Sequence, residues 1–199
     1  MFSKLFKRHD DKIIQSNRWV FGTMLAFGLI ALTAAFVLTI EKFHVLQDPQ
    51  AVLSCSFNLV LDCSKVMQTW QSSVFGFPNM VIGLMAYSVV VTIAVLGLSG
   101  TAFPKWFLRA ANIGFLLGAI FAYWLFFSSV YAIQILCPWC LVVTLSTTLI
   151  LATMTHYNLR ENTWNLSKKT NKRVQDFLAK DYDKLTIASW IVLLTVLVF

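Results

Sequence analysis

Apolar and polar stretches alternate along this chain of 199 residues in blocks far longer than the turn of a helix. Residues 1–18 are polar and basic. An apolar run of 22 residues, Trp19 to Ile40, follows. At about 1.5 Å per residue it is long enough to cross the hydrocarbon core of a bilayer. Residues 41–78 are mixed in character and read as a loop. Three further apolar runs cover roughly 79–99, 106–136 and 138–157, with a short turn at 100–105 after the first. The run 106–136 is longer than a straight span needs, so it is expected to bend or break before Cys137. Segment 158–184 is polar and basic again. The last run, Leu185–Phe199, has 15 residues, about 22 Å of helix and short for a crossing. The pattern predicts an all-α integral membrane protein: a four-helix bundle over 19–157 plus a fifth transmembrane helix at 185–199.

Composition agrees. The chain is 58% hydrophobic and only 13% charged, against about 25% charged in soluble domains. Seventeen Phe and seven Trp suit lipid-facing and interfacial positions. No short apolar stretch followed by a small-residue cleavage site stands at the N-terminus, so 19–40 reads as a retained span.

The net charge of +7 would suggest nucleic acid in a soluble protein. Its distribution argues for topology instead. Fourteen of the sixteen Lys and Arg fall in 1–18, in the turn after the second run (Lys105, Arg109) or in 158–184; only Lys42 and Lys65 fall on the other side. The positive-inside bias puts the N-terminus and segment 158–184 in the cytoplasm. Loop 41–78 and the Cys137 junction then lie outside. At the end of this segment and just beyond it, Val174, Phe177, Leu178 and Leu185 recur at helical spacing beside Lys172, Arg173, Lys180 and Lys184. That is the pattern of an amphipathic helix resting on anionic headgroups. Ala110, Gly114, Gly118 and Ala122 repeat every fourth position and read as bundle packing, with a place beside a ligand cavity left open, and not as evidence of a dimer.

Candidate chemistry centres on Cys137-Pro138-Trp139-Cys140. Pro138 suits the first position of a helix, where a missing N–H costs nothing. Cys137 then becomes the N-cap, with Cys140 one turn further on the same face. Free N–H groups at a helix start favour thiolate over thiol. A lone C-x-x-C is also half a zinc site or a structural disulfide. Zinc needs four ligands, and the other cysteines, Cys55 and Cys63, are spaced C-x7-C, while His9, His44 and His156 form no pair. All four cysteines fall on the expected exoplasmic side, where disulfides persist. Two cysteine pairs there form a relay if they can meet, through mixed disulfides. Cys55–Cys63 could also simply staple the loop.

The run Ser54-Cys55-Ser56, then Asp62-Cys63-Ser64-Lys65-Val66-Met67, then Phe75-Gly76-Phe77-Pro78 at the start of a span, and Cys137-Pro138-Trp139-Cys140 at the start of another, resembles the vitamin K epoxide reductase family, specifically its bacterial homologues. The likeness covers about residues 19–157. The order is specific: bacterial quinone-dependent thiol oxidases of the other four-helix type carry C-x-x-C in the first loop. The resemblance implies a four-helix core around a quinone of the menaquinone or ubiquinone type, in the bacterial cytoplasmic membrane. It implies reoxidation of an exported thioredoxin-fold partner that makes disulfides in other proteins. The chain stops at Phe199 without such a domain, so the partner is expected to be a separate protein. By position, Cys55 would form the mixed disulfide with the partner, Cys63 would exchange with Cys137, and Cys140 would deliver electrons to the quinone. Thr69, six residues after Cys63, stands where family members carry a hydroxyl near the quinone head. Thr144 stands where animal members carry Tyr, which counts against epoxide reduction and not against quinone use. Phe75, Phe77, Tyr123 and Phe126 are candidates for lining a pocket, though aromatics there also suit the interfacial belt.

The rival reading is a transport or binding protein for a soft metal such as copper, which thiolates suit. Transport needs ligands within the membrane, and the expected spans hold no Asp, Glu, His or Cys at mid-depth. A third reading is a structural subunit whose disulfides brace its outer loops.

Overall fold

A computed structural model describes residues 2–48, 53, 55–56, 62–179 and 185–192, with residues 2–16 described as backbone only. It is all helical. Helix α1 runs Phe2–Gln47, α2 Cys63–Met67, α3 Asn79–Leu98, α4 Lys105–Phe127, α5 Pro138–Arg160 and α6 Lys168–Ala179; a last helix, α7, covers 185–192. A 3₁₀ turn, Trp70–Ser73, lies between α2 and α3. Among the described residues four helical stretches are long and apolar enough to cross a membrane: Asn17–Gln47, Asn79–Leu98, Lys105–Ile133 and Pro138–Arg160. These are the four spans the apolar runs predict. Among the described residues no fifth stretch is long and apolar enough to join them. The described part of α7 is about 12 Å long at 1.5 Å per residue, and residues 180–184 and 193–199 of the expected fifth helix and its approach lie outside the described residues.

Lipid offers no hydrophobic drive between helices, so close backbone approach has to be built from small side chains. The seam between α1 and α3 is built that way. A Cβ on Gly28 would come within 3.1 Å of Val90, one on Gly83 within 3.3 Å of Ala35, and one on Gly97 within 2.4 Å of the Phe21 ring. Phe21, Met24, Ala31 and Ala35 of α1, Val90 and Ala94 of α3, and Ile150 and Met154 of α5 form the resulting core. The stripe on α4 behaves differently. A Cβ on Gly114 or Gly118 would meet nothing within 4 Å, and both glycines border a cavity. Their smallness leaves the cavity open, which is the second of the two settings the sequence allowed for this stripe.

Lys105, Arg109 and Arg160 gather at the end of the bundle opposite the cysteines. Arg160 donates to Asn17, Arg109 Nε to the Thr163 carbonyl at 2.6 Å and Lys105 to Asn165 at 3.4 Å. α6 docks beside them, its Gln175 amide donating to the carbonyls of Leu159 and Arg160, each at 3.2 Å. Its Leu178 is buried, while Lys168, Lys169, Lys172, Arg173 and Phe177 are exposed.

The bend expected before Cys137 is present. α4 widens into a π-helical turn over Ser128–Ile133 and stops at Gln134, whose φ of 60° is left-handed. The Ser129 hydroxyl donates to the Ile135 carbonyl across the break. This turns the chain so that Cys137 can start α5.

Candidate functional site: two cysteine pairs beside an apolar cavity

Asp62 precedes Cys63 and caps α2, its Oδ1 accepting the Ser64 N–H at 2.9 Å together with the hydroxyls of Ser56 at 2.6 Å and Ser64 at 2.8 Å. Partial burial raises its pKa, but these hydrogen bonds win, and the carboxyl titrates below its ordinary range. The Asp62 N–H donates to the Leu136 carbonyl at 3.1 Å, fixing the cysteine loop against the segment that leads to Cys137.

Cys55 and Cys63 form a disulfide, with Cα atoms 5.7 Å apart; Cys137 and Cys140 are free thiols. Cys63 Sγ lies 3.2 Å from Cys137 Sγ, within the range of about 3–3.5 Å that reacting atoms occupy in a near-attack arrangement. The two pairs meet.

Cys137 is the N-cap of α5 with Pro138 following at the helix start, and its sulfur accepts the Cys140 N–H at 3.4 Å. A hydrogen bond from the Cys140 thiol lowers its pKa most, burial opposes, and the N–H groups of Cys140 and Trp139 lower it further; the net direction is down. Cys137 is thus the more readily ionised of its pair, and the thiolate is the form that attacks a disulfide. Leu38, Val45, Leu53, Met67 and the three buried cysteines form one apolar cluster around this contact, with Trp139 and Cys140 packed on it.

Cys140 and Cys137 stand in the wall of a cavity of about 200 Å³ that opens between α1, α3, α4 and α5. For comparison, an apolar cavity of about 150 Å³ holds a benzene ring. The lining is mostly aliphatic and aromatic, including Leu38, Met80, Phe115 and Phe126, with a few polar groups. Tyr87 and Thr147 hydroxyls pair at 2.6 Å, and Thr144 Oγ1 donates to the Cys140 carbonyl at 2.9 Å. Thr69 lines the cavity too, its hydroxyl donating to the Val66 carbonyl at 2.7 Å.

Two side chains that the sequence did not single out brace the turn beside the cavity. Asn79, at the start of α3, donates to the Gln71 carbonyl at 2.6 Å and accepts the Val74 N–H at 3.2 Å. Lys42, buried at 7% exposure in α1, donates to the Met67 carbonyl and, at 3.1 Å, to Ser72 Oγ. Both hold the turn between α2 and α3 over the cavity. Of the four aromatic candidates, only Phe126 lines it. Phe75 and Phe77 are exposed, and Tyr123 turns to Thr148 and Trp190, with oxygen–oxygen and nitrogen–oxygen distances of 2.7 and 2.8 Å. Among the described residues no three His, Cys, Asp or Glu side chains gather as metal ligands would.

A disulfide, an abutting thiol and an apolar cavity, carried on four membrane-length helices, define a multi-pass membrane thiol oxidoreductase. The chain belongs to the vitamin K epoxide reductase family, whose model matches residues 23–155. That match reaches from the second turn of the first span to the last turns of the fourth, and it includes all four cysteines. Membership implies a disulfide oxidoreductase that reduces a quinone. No curated protein matches the chain.

Proposed function

We propose that this protein passes electrons from the thiols of an exported thioredoxin-fold protein to a membrane quinone, through Cys55/Cys63 and then Cys137/Cys140. The observation that carries the reading is the 3.2 Å contact between Cys63 and Cys137, on a helix start whose next cysteine lines the cavity.

In the forward direction a partner thiolate attacks Cys55 of the Cys55–Cys63 disulfide and frees the Cys63 thiolate. The partner's second thiol then displaces Cys55, and the partner leaves oxidised. Cys63 attacks Cys137 of a Cys137–Cys140 disulfide, Cys55 resolves that mixed disulfide, and Cys137 and Cys140 are left reduced. The arrangement described above corresponds to this stage: outer pair oxidised, inner pair reduced. Cys140 hands the electrons on, and the Cys137–Cys140 disulfide re-forms. In balance, one dithiol becomes one disulfide while one quinone gains two electrons and two protons to become the quinol. The cavity supports this by its apolar lining and by polar groups at the cysteine end, among them Thr69, which fit a ring carrying oxygen.

The topology that suits this function has the basic end in the cytoplasm and the cysteines outside. The clustering of Arg109, Arg160 and Lys105 opposite the cysteines supports it. A fifth span over 185–199 belongs to the same reading. It is supported by the helical residues 185–192 and by Trp190 Nε1 donating to the Tyr123 hydroxyl.

The test is turnover of purified protein with a reduced thioredoxin-fold partner and a soluble quinone. Thiol loss should require the quinone, and Cys140→Ser should abolish quinone reduction while a Cys63–Cys137 or partner adduct accumulates. Normal turnover by Cys140→Ser would refute the relay order.

A further inference from the structure

Most polar side chains in the cavity wall are paired within the protein: Tyr87 with Thr147, Thr69 with Val66, Thr144 with Cys140, Asn79 with Gln71 and Val74. Gln71 is the exception. It lines the cavity, and its Oε1 is buried with no hydrogen-bond partner among the described residues. A buried amide oxygen without a donor is destabilising, and such groups are rare enough in native folds that each calls for a reason.

The surrounding turn shows that the position is fixed and not an accident of slack packing. The Gln71 carbonyl is held by Asn79 at 2.6 Å. Its neighbour Ser72 donates to Met67 and Thr69 carbonyls at 2.6 and 2.8 Å and accepts from Lys42. The main chain is thus pinned on both sides of a side chain whose acceptor is left over.

We propose that Gln71 is a hydrogen-bonding residue for the head-group oxygen of the bound quinone, and that its Oε1 accepts the hydroxyl of the reduced form. This rests on the quinone reading above. The chemistry follows from the carboxamide: one end accepts and the other donates. Quinone oxygens only accept, whereas quinol hydroxyls also donate. Oε1 is buried and unpaired as it stands, and a turn of the side chain toward the cavity it lines would offer that acceptor to a quinol hydroxyl. With the amide turned over, Nε2 can donate to the quinone carbonyl. Gln71 therefore serves both redox forms and favours the reduced one.

Equilibrium binding tests it in a Cys140→Ser background, where electrons cannot pass to or from the ligand. The probes are a short-chain naphthoquinone and its dithionite-reduced quinol, followed by quenching of tryptophan fluorescence in detergent or nanodiscs. Gln71→Leu should weaken the quinol by about tenfold, as loss of one buried hydrogen bond does, and the quinone by less. The helical circular dichroism and the melting temperature should hold. Gln71→Met, unbranched and close in size, should give the same split if leucine disturbs the turn. Equal loss for both forms, or no loss for either, overturns the proposal. If the Gln71 parent binds neither probe, the quinone reading itself fails, and that outcome is distinct from a parent that binds with variants that do not differ.

Discussion

Replacing Cys55 and Cys140 by serine leaves one thiol on each side of the 3.2 Å contact, Cys63 and Cys137. A disulfide is about 2.05 Å long, so the sulfurs need to approach by only about 1.1 Å, which side-chain rotation supplies without moving a helix. Fully oriented groups reach effective molarities on the order of 10⁵–10⁸ M. If imperfect alignment leaves only about 1 M, the internal thiol still outcompetes roughly 1 mM external thiol by about a thousandfold. Mild oxidation should therefore convert most of the double variant to a Cys63–Cys137 crosslink in the membrane, read by peptide mass mapping after blocking free thiols. The complementary variant, with Cys63 and Cys137 replaced and Cys55 and Cys140 kept, should crosslink far more slowly. Equal yields from both, or a Cys63–Cys137 bond that forms only after unfolding, would refute a relay through these two sulfurs.

Three further outcomes are expected. Gly97→Ala drives a methyl to within 2.4 Å of the Phe21 ring and should destabilise the bundle by about 1–3 kcal/mol, measured as a lower melting temperature in detergent, while the crosslink above still forms in the folded fraction. Gly118→Leu adds a side chain to the cavity where a Cβ meets nothing within 4 Å; KM for quinone should rise by about tenfold or more, with the melting temperature kept. Because the Cys137 pKa is lowered, its thiolate is present above that lowered value and is lost only as pH falls through it. Exchange from Cys137 onto Cys63 should therefore reach half its maximal rate below the ordinary thiol value of 9.0, and a midpoint at or above that pH would contradict the assignment.

The four spans were legible because each is an apolar run of bilayer length, and Pro138 marked the start of α5 by a purely local rule. The break before Cys137 was legible as surplus length in the run 106–136. The upper part of α1 was not: the apolar run ends at Ile40, yet the helix continues to Gln47, because Lys42 finds its partners at Met67 and Ser72, more than twenty residues away. Asn79 and Gln71 were missed for a related reason. Their roles depend on which carbonyl or void they face, and residue type alone says neither. Small residues were legible in part. Gly114, Gly118 and Ala122 of the regular stripe on α4 border the cavity, while the α1–α3 seam uses Gly28, Gly83 and Gly97, scattered on two helices with no period to betray them.

The bond from the Asp62 N–H to the Leu136 carbonyl bears on how the outer loop can serve two clients. One such rung is worth only about 0.5–1.5 kcal/mol net, and the apolar cluster around Cys55, Cys63 and Cys137 holds the same segments together. The bond therefore sets the register of the two segments more than it binds them. In the proposed relay, a partner reaching Cys55 would have to loosen that cluster as well as this rung.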